Sequence, residues 1–159
     1  MNDLFYRTEI QKVNAAMTSG NLLSLDAFGK VGEFREDFFI DYVDIEYCFR
    51  LHRKNFEIFL LNSVILTHNE ADLSKKKILN KTFYPHNHRP FRYYYKTRNL
   101  LYLRKSYKKL LPELLKIEYD SYIRTIIKMI LFEKKRLEKI KMICLGFLAF
   151  LKKNTGKLK

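Results

Sequence analysis

Phe38 to Arg50 reads FFIDYVDIEYCFR. Three carboxylates, Asp41, Asp44 and Glu46, stand inside an apolar and aromatic run. Acids are seldom buried without a partner, so each one needs a reason to be there. Ile45, Cys48, Phe49 and His52 recur at i, i+3, i+4 and i+7, which predicts an amphipathic helix. Glu46 and Arg50 are an i, i+4 pair on its flank, worth a few tenths of a kcal/mol. Asp41 or Asp44 can cap its start, where an acid satisfies free N–H groups and the helix dipole. The other use of an acid at a helix start is as a general base at the rim of a sheet. The residues alone leave both uses open.

On the C-terminal side, FEIFLLNSVILTH is rich in branched and aromatic residues. It predicts one or more strands over Phe56–Thr67, with His68 at the end. On the N-terminal side, NAAMTSGNLLSLDAFGKVGEF alternates short apolar runs with turn signals at Gly20, Gly29 and Gly32. Asp72 to about Arg92, DLSKKKILNKTFYPHNHRPFR, reads as a basic, irregular loop. From Tyr93 onward the composition is helical, and Pro112 marks a break or a helix start. There are no internal repeats.

The chain has 159 residues, enough for one domain or a compact piece of a larger one. At 47% hydrophobic it can bury a core, which excludes a disordered basic tail. Cys48 and Cys144 form no CxxC motif and no disulfide framework, and both read as reduced core thiols. Charge is unevenly spread: residues 1–70 carry −4 and residues 71–159 carry +18. Such asymmetry points to a polyanionic partner, either nucleic acid or an anionic membrane face. MNDLFYRTEIQK has no basic n-region followed by an apolar run. The longest apolar run, Met142–Leu151, is half the roughly 20 residues a membrane-spanning helix needs. The expected location is cytoplasmic, with peripheral contact at the inner face of the membrane as an option.

His52, His86 and His88 form no zinc pattern with His68. The ordered set Gly20, Asn21, Val31, Gly32, Phe34, Glu36, Phe39, Ile40, Asp41, Val43, Asp44, Glu46, Arg50 and His68 is more specific. It resembles the second half of the catalytic domain of family 2 glycosyltransferases with the GT-A fold, within them the bacterial rhamnosyltransferase group. HRPFRYYYKTRNLLYLRKSY is similar to a later segment of that family through Pro90, Arg92, Tyr94, Tyr95, Arg98 and Asn99. The tail resembles the family's C-terminus through Gly146 and Gly156. The likeness runs from about Thr18 to the end. Val43 stands where many members have a second acid, and Ala71 where they often have Gly.

The resemblance implies roles. Asp44 matches the catalytic base, and His68 matches a ligand of a divalent metal, Mg²⁺ or Mn²⁺, at the donor diphosphate. Asp41, Glu46 and Arg50 would shape the acceptor side, and Gly20 and Asn21 are the nearest candidates for donor contact. The implied fold is α/β: the C-terminal half of a Rossmann-like GT-A domain over residues 1–92, then a basic, amphipathic helical region over 93–159. The implied partners are a nucleotide-sugar donor and a surface-polysaccharide or lipid-linked acceptor. A complete enzyme of this kind begins with a nucleotide-binding half that carries a DxD motif, and Asp41 and Asp44 are three apart. The expectation is an acceptor-side part, inactive alone, with its metal needed only in the complete enzyme. A separately encoded N-terminal half is one source for the rest.

The basic region supports a different class of function: a non-catalytic module that binds an anionic membrane surface or nucleic acid. Its contact residues would be Arg92, Arg98, Arg104, Lys105, Lys134, Lys135 and Arg136. No RNP, KH or zinc pattern supports nucleic acid. Helices with Leu, Ile and Phe on one side and Lys on the other suit a lipid interface.

Overall fold

A computed structural model describes residues 10–66, 76–78, 81–83 and 87–158. Its contacts divide into two compact units. One takes in residues 10–35 and 43–66; the other takes in residues 36–42 and the described residues from 76 onward.

In the first unit, strand β1 (Ile10–Val13) pairs antiparallel with β2 (Ile58–Leu61), Ile10 opposite Leu61 and Val13 opposite Ile58. Helix α1 (Leu25–Val31) starts at Ser24, whose hydroxyl accepts the Ala27 N–H at 3.4 Å, and ends at Gly32, where φ is 85°. Helix α2 (Val43–Arg53) carries Asp44 and Glu46 in its first turn and Arg50, His52 and Arg53 in its last, the arrangement the helix dipole favours. It ends in a Schellman motif. Asn55 takes the left-handed conformation at φ 60°, its N–H bonds His52 O, and the Phe56 N–H bonds Leu51 O, both at 3.0 Å. Tyr47, Cys48 and Leu51 of α2 pack with Ala27 and Ile58, and Val13, Leu23, Val31 and Phe56 close around them.

The strand expected over Phe56–Thr67 is shorter than that: β2 covers four residues, and Asn62 and Ser63 turn the chain after it. Thr67 lies outside the described residues.

In the second unit, β3 (Lys76–Ile78) and β4 (Lys81–Phe83) pair antiparallel, and helix α3 (Pro90–Tyr107) begins before Arg92. The stretch read as loop therefore holds a short ribbon and a helix start. Its lysine run hid two strands of only three residues each. Pro90 and Pro112 both sit in the first turns of helices, where a missing N–H costs nothing. Helix α3 is buried nearly all round, as expected of a central helix. Helices α4 (Pro112–Phe132) and α5 (Arg136–Leu151) follow it. Helix α5 presses Gly146 against α3: a Cβ there would lie 2.4 Å from Tyr94 O and 3.1 Å from Thr97 Cβ. Only glycine allows that approach.

The chain is mixed α/β and mostly helical. Among the described residues its strands form two separate two-stranded ribbons. Cys48 is buried as expected, but Cys144 is exposed on α5, because α5 turns Gly146 and Ala149 inward instead.

Candidate functional site

The three acids of the opening stretch have three different environments. Glu46 is buried on α2, and Arg50 Nε donates to its Oε2 at 3.0 Å. Arg50 also donates to Val31 O at 2.9 Å and Glu33 O at 2.7 Å, and its guanidinium lies 4.8 Å from the centre of the Tyr47 ring. Phe34 stacks on the same ring at 4.2 Å. The pair therefore ties α2 to the chain leaving α1, a structural role.

Asp41 belongs to the second unit. Arg92 grips its carboxylate with two bonds, Nη2 to Oδ1 at 2.5 Å and Nε to Oδ2 at 3.1 Å, and Lys96 Nζ stands 3.5 Å away. A bidentate, charge-assisted pair is the strong form of this contact. Asp41 is at φ 61°, and Phe39 and Tyr42 are also left-handed, at 64° and 65°. Such residues cost about 1–3 kcal/mol each unless their surroundings hold them.

The surroundings are Arg98 and Asn99. Asn99 is 0% exposed, and its Nδ2 donates to Phe38 O at 3.0 Å and to Ile40 O and Asp41 O at 2.9 Å. Arg98, 1% exposed, donates to Phe38 O at 3.0 Å, Asp37 O at 3.2 Å and Gly156 O at 2.7 Å. Its Nε reaches Asn99 Oδ1 at 3.0 Å, and its guanidinium lies over Tyr94 and Tyr95. From the tail, the Gly156 N–H bonds Asp37 O at 2.6 Å. This clamp holds the carbonyls of residues 37, 38, 40 and 41, just before α2 begins. Tyr42, which closes the segment, has its hydroxyl pushed far up from the ordinary phenol value by burial first, then by the negative charge of Glu118 and by Tyr122 and Asp41.

Asp44 differs from the other two. It is the second residue of α2 and half-buried, and its Oδ1 accepts the Ile45 N–H at 2.9 Å. No cation pairs with it among the described residues. His68, its expected companion, lies outside them. Among the described residues no three His, Cys, Asp or Glu side chains converge to hold a metal ion. Gly20 and Asn21 form a turn: Gly20 is at φ 72°, a Cβ on it would meet Leu66 Cδ2 at 2.9 Å, and Asn21 N bonds Thr18 O at 3.3 Å.

Two of the expected polyanion contacts are corrected. Arg98 is sealed inside the helical unit, and Arg92 is occupied by Asp41, so neither presents a free cation. Arg104, Lys105, Lys134, Lys135 and Arg136 are exposed. Arg136 also closes the end of α4, donating to Glu133 O at 3.0 Å and Leu131 O at 3.1 Å. A further buried group was missed in the sequence. Lys139 Nζ donates to Glu133 Oε2 at 2.6 Å, both side chains are 2% exposed, and the same carboxylate accepts Tyr93 OH at 2.9 Å and Asn87 N–H at 3.1 Å. The available hint was helical phase, since Lys139 shares a face of α5 with Gly146 and Ala149.

The chain is 31% identical over 147 residues, 91% of its length, to the dTDP-rhamnosyl transferase RfbF of Shigella flexneri. It spans 48% of that relative, about half. No family model matches the chain, and no solved structure matches it. The similarity suggests a glycosyltransferase.

Proposed function

We propose that the chain is the acceptor-side part of an inverting glycosyltransferase of family 2 with the GT-A fold, and that the sugar transferred is rhamnose. The observation that carries the reading is the similarity to a rhamnosyl transferase along nearly the whole chain. The distribution of partners among the acids supports the choice of base. Asp41 and Glu46 are committed to Arg92 and Arg50, while among the described residues no cation pairs with the Asp44 carboxylate.

In the proposed reaction Asp44 accepts the proton of an acceptor hydroxyl. The hydroxyl oxygen attacks the anomeric carbon of the donor as the bond to the nucleoside diphosphate breaks, and the diphosphate leaves with that electron pair. The configuration at the anomeric carbon inverts. A positioned base of this kind contributes about 10²–10⁴-fold. The acceptor would be a polysaccharide or lipid-linked glycan. The donor-binding half would come from polypeptide outside these residues, which matches the relative's being about twice as long. Mg²⁺ or Mn²⁺ at the diphosphate belongs to the complete enzyme. The described residues make no site for it, and no step here passes through it.

The test is co-expression of this chain with an α/β donor half carrying a DxD motif, assayed with dTDP-rhamnose and a glycan acceptor. Activity is expected from the pair and not from this chain alone. Asp44→Asn should lower it at least roughly 10²-fold with the circular dichroism unchanged. Full activity in that variant removes Asp44 as the base, and transfer by the 159-residue chain alone removes the half-enzyme reading.

A further inference from the structure

Helix α5 has an outer side that stays exposed among the described residues. Leu137, Ile140, Cys144, Phe147 and Leu151 recur at intervals of three and four, with Leu148 beside them, and all six are exposed. Leu137 is 84% exposed, Leu151 58% and Phe147 48%. The opposite side, with Lys139, Gly146 and Ala149, is the one buried in the helical unit. Sixteen residues make a helix about 24 Å long, and no helix among the described residues is long and apolar enough to cross a membrane. An apolar stripe of this length is not an ordinary scatter of surface leucines.

Charge identifies what covers it. Lys134, Lys135 and Arg136 stand at the start of the stripe, Lys152 and Lys153 at its end, and Lys141 along its border, all exposed. The helix carries a single acid, Glu138, and Lys135 already pairs with it at 3.6 Å. A second copy laid on the stripe in either direction would bring these cation clusters onto each other with no acid to answer them. A bilayer surface has the complementary pattern, with acyl chains below and anionic headgroups above, which long lysine and arginine side chains reach by extending outward. Helix α4 repeats the motif. Ile123, Ile127, Ile130 and Leu131 are exposed at i, i+4, i+7 and i+8, beside Lys116, Arg124 and Lys128.

We propose that α5 lies flat on anionic lipid, its Leu137–Leu151 stripe in the acyl boundary and its two basic ends on headgroup phosphates. The inference stands independently of the transfer reaction. Cys144 is a built-in reporter, because it sits in the middle of the stripe while Cys48 is buried.

The full chain, labelled at Cys144 with an environment-sensitive fluorophore, is mixed with vesicles of phosphatidylcholine with or without phosphatidylglycerol. A blue shift and co-sedimentation are expected only with the anionic vesicles, weakening as salt rises. The double variant Leu137→Gln, Phe147→Gln should bind roughly tenfold less or worse, and it should fold normally because Leu137 is largely and Phe147 about half exposed. Charge reversal by Lys152→Glu, Lys153→Glu should lower binding to anionic vesicles to a similar degree. The proposal is overturned if the double variant binds vesicles as well as the parent does. It is equally overturned if the parent ignores vesicles and instead forms a dimer that the double variant dissolves, or binds single-stranded nucleic acid through the same residues.

Discussion

Asn99→Leu tests the clamp on the segment before α2. The replacement keeps volume and apolar packing on α3 but removes an amide that serves three carbonyls at 2.9–3.0 Å and accepts Arg98 Nε at 3.0 Å. The amide has two hydrogens, so the three carbonyl contacts amount to about two full bonds, roughly 2 kcal/mol at about 1 kcal/mol each. Losing the Arg98 contact, a bond to a charged group, adds about 1.5 kcal/mol or more. The carbonyls of Phe38, Ile40 and Asp41 then face a leucine, and at least one stays buried and unpaired, adding about 1 kcal/mol. The expected loss is about 4.5 kcal/mol, a large share of a typical 5–15 kcal/mol domain stability. Urea unfolding followed by near-ultraviolet circular dichroism reads it from the tyrosines of α3, since the chain has no tryptophan. Asn99→Asp sharpens the test. It keeps an acceptor for Arg98 but points a second carboxylate oxygen at the carbonyls, so it should destabilise although it strengthens the Arg98 contact. A loss below about 1 kcal/mol in Asn99→Leu would refute the view that these bonds hold the left-handed residues 39, 41 and 42.

Other substitutions probe separate features. Gly146→Ala gains about 1 kcal/mol of helix propensity, but its methyl meets Tyr94 O at 2.4 Å; a net destabilisation of about 2 kcal/mol is expected, and a stabilised variant would show that α5 does not approach α3 so closely. Lys139→Met strands Glu133 inside the helical unit and should cost about 3–5 kcal/mol, while adding Glu133→Leu should recover much of it. A double mutant no more stable than the single one would contradict this. Tyr47→Phe removes a buried hydroxyl that has no hydrogen-bond partner among the described residues, so thermal melting should show no loss and a gain of up to about 1 kcal/mol. The Tyr93 hydroxyl is held far above its ordinary value by burial first, then by its bond to Glu133. A group raised in the folded state contributes stability in full below its unfolded value of about 10 and loses it as pH rises beyond that. Alkaline unfolding should therefore set in above about pH 10, together with a cooperative rise in phenolate absorbance; gradual ionisation of every tyrosine without unfolding would disprove it.

Local chemistry was legible where it repeats. The i, i+3, i+4, i+7 run from Ile45 forms α2, Glu46 and Arg50 pair on it, and Pro112 opens a helix. What the residues did not reveal was which polar groups turn inward. Asp41 looks like a cap because it stands just before a helix, yet its partner is Arg92, 51 positions away. Arg98 looks like a surface cation because most arginines are, but three backbone carbonyls and two tyrosine rings make it cheaper inside. Long-range satisfaction of this kind leaves no periodic trace, and neither does a three-residue strand within a lysine run.

These inward cations change the meaning of a net charge of +14. Arg50, Arg92, Arg98 and Lys139 are occupied by Glu46, Asp41, backbone carbonyls and Glu133, so they contribute to folding and not to an outward field. What reaches solvent is more localised than the composition suggests, and on α5 it gathers at the two ends of an apolar stripe. A diffuse positive surface would serve any polyanion, because Coulomb attraction fades over a Debye length of about 10 Å whatever the partner. Basic clusters that bracket exposed leucines are more selective, since a phosphate backbone has no use for the leucines and a bilayer has use for both. The stripe variant and the charge-reversal variant therefore separate the two partners: only a lipid surface requires that both substitutions weaken binding.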